Sequence, residues 1–170
     1  MKKLNLLVVL SAAVFFTSTA ANAGMLFVAS LSGPGENPPN ASPGFGFGTV
    51  FLNDAQTMIT VDEDWFNLTA PATATHIHCC APPGTNASVL FPFAGVPAAT
   101  NGAIPEQTFA ITGAQVTSLE GGLMYMNVHT GNFPGGEIRG QLTLAPEPGS
   151  LGLIALGLAV AVFSRGRKLV

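Results

Sequence analysis

Between Phe45 and Leu52 the chain alternates, placing Phe45, Phe47, Thr49 and Phe51 on one face and Gly46, Gly48, Val50 and Leu52 on the other. A period of two belongs to an extended strand, so this segment does not suit a helix. Just upstream, Ser32-Gly33-Pro34-Gly35-Glu36-Asn37-Pro38-Pro39 is so dense in glycine and proline that no helix or central strand can contain it. The same rhythm continues. Met25–Leu31, Thr57–Leu68, Ala74–Cys79, Asn86–Phe91, Gln107–Ile111, Leu123–His129 and Gly136–Leu144 read as strands separated by turns, and Thr112–Gly122 as one short helix. The alternation falters at Asp62-Glu63-Asp64, which reads as a bulge and a solvated strand end; it lacks the spaced oxygens and glycine of an EF-hand loop. Short strands at this spacing predict an all-β fold, an antiparallel β-sandwich.

The two ends have a different character. Lys2 and Lys3 precede an apolar core, Leu4 to Phe16, and Ala21-Asn22-Ala23 supplies a small–x–small cleavage pattern. Residues 1–23 therefore read as a secretory signal peptide cut before Gly24. At the other end, Pro146-Glu147-Pro148 is followed by the apolar run Leu151–Phe163 and then by Arg165, Arg167 and Lys168. As a helix that run reaches ~20 Å against ~30 Å for a bilayer core, a marginal span with its basic end on the cytoplasmic side. Motif, short apolar helix and basic cluster together resemble the PEP-CTERM sorting signal of Gram-negative bacteria, with an ordinary single-pass anchor as the other reading. The resemblance implies a partner, an exosortase-type membrane protease. It also implies transient anchoring in the inner membrane and release to the cell surface or matrix. The chain thus divides into a leader at 1–23, a domain at 24–144 and a sorting tail at 145–170.

This division changes the meaning of the charge. The whole chain carries six Lys and Arg against nine Asp and Glu, a net −3. Lys2, Lys3, Arg165, Arg167 and Lys168 all lie in the ends, so between Gly24 and Glu147 one cation, Arg139, faces nine acids, about −8. Such a domain cannot neutralise phosphates, which excludes nucleic acid as a partner. Cations or a basic protein suit it better.

Three histidines carry the most specific chemistry. His76 and His78 are two apart and share one face of a strand. In the late strand, Tyr125, Asn127 and His129 lie opposite Met124, Met126 and Val128. If the two strands are neighbours, His76, His78 and His129 meet on one polar surface. Three imidazoles hold zinc or copper and leave one coordination position open. Glu36 or Glu137 would add an oxygen ligand or accept a histidine N–H. Two other readings compete: histidines that pin loops through backbone carbonyls, and a polar surface for an organic or protein ligand. Cys79-Cys80 follows directly, with four readings: a vicinal disulfide, an intermolecular link, free thiols, or Cys80 joining the histidines on a metal.

The run from Tyr125 to Leu142, containing Asn127, Gly135, Gly136, Glu137 and Arg139, resembles the end of a CHRD domain, the module named from chordin and found in many bacterial secreted proteins. Leu31-Ser32-Gly33 with Glu36-Asn37-Pro38-Pro39 resembles its opening, and Ala74-Thr75-His76-Ile77-His78 its central strand. The resemblance implies an immunoglobulin-like β-sandwich over about Met25 to Leu144. Within the motif, Gly135 and Gly136 allow a turn that Pro134 stiffens; Glu137 and Arg139 share one face, and Arg139 is expected to pair with Glu137 or another acid. No Ser–His–acid order, phosphate loop or paired-carboxylate cleft is visible. The leading expectation is a non-enzymatic, secreted surface or matrix protein that binds a ligand such as a matrix polysaccharide or a surface protein. The alternative is a zinc or copper domain, redox-active in the manner of copper-dependent sandwich enzymes.

Overall fold

The computed structural model describes residues 24–146, so the leader, Glu147, Pro148 and the rest of the sorting tail lie outside it. Among the described residues ten strands form: β1 Met25–Ser32, β2 Phe45–Leu52, β3 Met58–Phe66, β4 Ala72–Cys79, β5 Ser88–Pro92, β6 Gly102–Ala103, β7 Gln107–Ala110, β8 Met124–Thr130, β9 Ile138–Gln141 and β10 Thr143–Leu144. A single 3-10 turn, Gly33–Gly35, follows β1, and the helix α1, Gly113–Glu120, precedes β8. The helix begins where Thr112 accepts from the Gln115 amide and the Gln115 side chain accepts from the Thr112 N–H, a reciprocal capping box.

The strands pair in the order β5-β4-β8-β9-β1-β2-β3-β6, with β10 on β1 and β7 on β3, all antiparallel. The sheet curls into a half-barrel, consistent with the all-β sandwich predicted from the sequence. Its core joins Val50, Leu52, Ile59, Val61 and Trp65 on one side with Ile77, Met124, Met126, Val128 and Ile138 on the other, each at most 1 % exposed. Burying a side chain of this size contributes ~1.5–3 kcal/mol. In β2 the inward face is the glycine face. A Cβ on Gly48 would strike the Met126 sulfur, so the gap left by glycine admits a side chain from the opposing half. The rings of Phe45, Phe47 and Phe51 consequently point outward, 44–54 % exposed.

Three details differ from the sequence reading. Strand β3 runs through Asp62-Glu63-Asp64 in unbroken register with β2, without a bulge. Period two turns Glu63 inward with Val61 and Trp65, so this acid is buried in the core rather than solvated. The last arm is split at Leu142, which is buried and donates its N–H to the Met124 carbonyl between β9 and β10. The closing rung of the domain is the Ala145 N–H on the Leu26 carbonyl, 2.8 Å.

Candidate metal centre

Strands β4 and β8 are adjacent, with Ala74 opposite His129, His76 opposite Asn127 and His78 opposite Tyr125. Alternation then puts His76, His78, Tyr125, Asn127 and His129 on one face. Each of the three imidazoles offers a ring nitrogen, and these atoms lie within 4.8 Å of one another. Neither Glu36 nor Glu137 belongs to this group.

Hydrogen bonds fix the tautomers of two rings. His78 Nδ1 lies 2.9 Å from the Ala87 carbonyl and His129 Nδ1 lies 2.9 Å from the Pro134 carbonyl. A carbonyl only accepts, so each Nδ1 carries the proton and each Nε2 keeps a lone pair. His78 Nε2 is buried and has no partner, and the same holds for His76 Nδ1. His129 Nε2 sits 3.2 Å from Asn127 Oδ1, lone pair against oxygen. Turning the Asn127 amide relieves this contact, and so does a cation that takes the Nε2 lone pair.

Burial lowers all three imidazole pKa values. His76 falls to about 4, first through burial and then through its His129 and His78 neighbours. His78 and His129 are lowered chiefly by burial, against the hydrogen bonds to Ala87 and Pro134. The rings are therefore neutral near pH 7, the form that ligates metal.

The remaining motif residues build the surroundings. Tyr125 stacks on His78 and carries the Arg139 guanidinium 3.4 Å from its ring centroid. Arg139 donates to Asn86 Oδ1 at 3.1 Å and to the Thr85 carbonyl at 2.9 Å, so the expected pair with Glu137 does not form. Glu137 is instead occupied by Ser42 Oγ, Thr69 N, Thr69 Oγ1 and Thr130 Oγ1 at 2.6–3.1 Å. Burial alone would raise this carboxyl, yet the donors outweigh it and hold its pKa below the usual value. Gly135 is exposed at the turn, and Gly136 takes φ +130°. Cys79 and Cys80 are joined to each other by a disulfide immediately after His78. Pro146 ends the described chain, while Glu147 and Pro148 lie beyond it.

Sequence reasoning missed a buried relay beside the centre. Thr75 Oγ1 is hydrogen-bonded to both Glu63 Oε2 and the Asn127 carbonyl. A hydroxyl has one proton, and the carbonyl can only accept it, so Glu63 is the donor to Thr75 and is protonated. Accordingly, burial pushes the Glu63 carboxyl up to about 8. The Tyr125–Arg139 stack was also not anticipated; its one signal was that Arg139 is the sole Lys or Arg between residues 24 and 147.

A family model for the CHRD domain matches residues 27–142, and one for the PEP-CTERM protein-sorting motif matches residues 144–168. No curated protein and no solved structure matches the chain.

Proposed function

The chain belongs to the CHRD-domain family, and from that premise, with its PEP-CTERM motif, we propose an exported protein whose β domain holds one zinc or copper ion. The motif implies processing by an exosortase, a membrane protease, and a final location outside the cell. Neither matched family is enzymatic. The finer steps we infer are a transient hold in the inner membrane by the tail, cleavage near Pro146-Glu147-Pro148, and delivery of the domain to the cell surface or matrix.

The observation that carries the metal reading is the convergence of three neutral imidazoles with ligand atoms within 4.8 Å, two of them with a buried ring nitrogen that has no partner, His78 Nε2 among them as a free lone pair. An unpaired buried acceptor is costly, and coordination satisfies it. Three nitrogens leave a position open for water or a ligand. The loop-pinning reading accounts for Nδ1 of His78 and His129 but leaves the buried Nε2 lone pair of His78 without a partner.

The test is metal titration of the processed, chelator-treated protein with Cu(II) and with Zn(II). One equivalent of one of these ions is expected, lost on His78→Ala and on His129→Ala. Sub-stoichiometric binding of both ions to the unmutated protein at micromolar supply overturns the reading.

A further inference from the structure

A second cleft, of about 430 Å³, opens between the segment Glu36–Asn40, Asn86 and the turn joining β8 to β9. Its sides include Pro38, Pro39, Phe133 and Pro134. Much of its polar lining is already engaged. Asn40 donates to the Gly136 and Glu137 carbonyls, and Asn86 donates to the Asn37 carbonyl while accepting from Arg139. Glu36 is different. This cleft residue is only 6 % exposed, and its Oε1 has no hydrogen-bond partner. Gly136 packs directly on that oxygen, and a Cβ there would collide with it.

We propose that this cleft receives a basic side chain, lysine or arginine, from a partner polypeptide, with the cationic head on Glu36 and the methylene stem against the prolines. An ionised carboxylate accepts only, so the missing partner must donate, and a charged donor gives the stronger bond. Proline walls suit a methylene stem, which buries apolar length while its head stays polar. The domain's field has the right sign, since Arg139 is the sole Lys or Arg among the described residues and its guanidinium N–H groups are directed to Thr85 and Asn86. A surface so acidic raises the local concentration of a basic partner. Burial has also pushed the Glu36 carboxyl up to about 7, against the opposing influence of Arg139, so a cation at Oε1 would favour its ionised form.

Calorimetric titration of the processed, chelator-treated protein with tetralysine amide tests the proposal without involving the histidines. Saturable binding is expected, weakened about tenfold or more by Glu36→Gln and changed less than about twofold by Asp62→Asn, an exposed acid of β3 outside this cleft. In the unmutated protein, the carboxyl carbon resonance of Glu36 should shift on adding the peptide, a readout independent of how the variants fold. Equal weakening by both substitutions would reduce the effect to general charge attraction and overturn the proposal. So would an absent Glu36 shift, or a glucosamine tetramer binding as tightly as the peptide with the same dependence on Glu36.

Discussion

His78 lies flat on Tyr125, with ring centroids 4.7 Å apart and planes 3° from parallel. The tyrosine hydroxyl accepts the Ala87 N–H at 3.1 Å, and the carbonyl of that same residue holds His78 Nδ1. One imidazole is thus fixed in plane by a ring and in tautomer by a carbonyl, and the ring and the carbonyl-bearing residue are bonded to each other. Partners that orient a metal ligand in this way are worth ~10–100-fold in affinity. Tyr125→Ala is expected to weaken metal binding by that factor, measured by competition with a chromophoric chelator. Tyr125→Phe, which keeps the stack and loses only the hydroxyl, should weaken it far less. Equal losses in the two variants would assign the effect to the hydroxyl alone.

The buried acids predict an unusual pH dependence for the metal-free domain. Folding raises Glu63 to about 8 and Glu36 to about 7, both through burial, so the native state binds protons that the unfolded chain releases above about 4.5. Their contribution is complete below the unfolded pKa and is lost as pH rises through the folded one. His76, lowered to about 4, acts in the opposite sense, adding stability as pH rises from about 4 to 6.5. Between pH 6.5 and 8 only the carboxyls still act, so the melting temperature should fall, with a slope of up to ~1.4 kcal/mol per pH unit from Glu63. Glu63→Gln, which keeps a donor for Thr75, should flatten that decline. A melting temperature constant from pH 6.5 to 8 in the unmutated protein would contradict the assignment.

Gly136→Ala is expected to destabilise the domain by ~1–3 kcal/mol, because φ +130° disfavours a Cβ and that Cβ would meet the Glu36 carboxylate. The neighbouring Gly135→Ala provides the control. A Cβ there meets nothing within 4 Å, so the change should stay within ~0.5 kcal/mol in denaturant unfolding.

Glu137→Gln should cost ~1–3 kcal/mol in the same assay. Four donors converge on two carboxylate oxygens, and one of them, the Thr69 backbone N–H, cannot turn into an acceptor. The amide keeps one oxygen and brings its NH2 against groups that already donate. A loss below ~0.3 kcal/mol would mean that the hydroxyls simply reorient around the amide.

The histidine cluster was legible in the sequence because it depends only on period two and on one adjacency, β4 beside β8. Strand β2 was legible as a strand, but not in its orientation. Hydrophobicity alone would turn Phe45, Phe47 and Phe51 inward, whereas the opposing Met126 needs the space that only glycine leaves. Glu63 shares its parity with Val61 and Trp65, so its inward position was implicit in the alternation. Three consecutive acids argued for solvent, and the Thr75 hydroxyl that accommodates one of them lies on a different strand. The Glu137–Arg139 pair failed for a local reason. Glu137 precedes β9, immediately after Gly136 at positive φ, so the strand's parity does not extend back to it.

The last backbone rung of the domain, Ala145 on Leu26, falls one residue before Pro146-Glu147-Pro148. From Ala145 to Pro148 a fully stretched chain spans no more than ~10 Å. A protease cutting at Pro146-Glu147-Pro148 therefore has almost no slack to work with once the domain is folded. It would have to accommodate the paired ends of β1 and β10 as a bulky shoulder beside the scissile bond. If the cut falls at Pro146-Glu147-Pro148, shape would help to define it as well as those three residues: a substrate in which that pairing had frayed would present a longer, looser leash to the same enzyme.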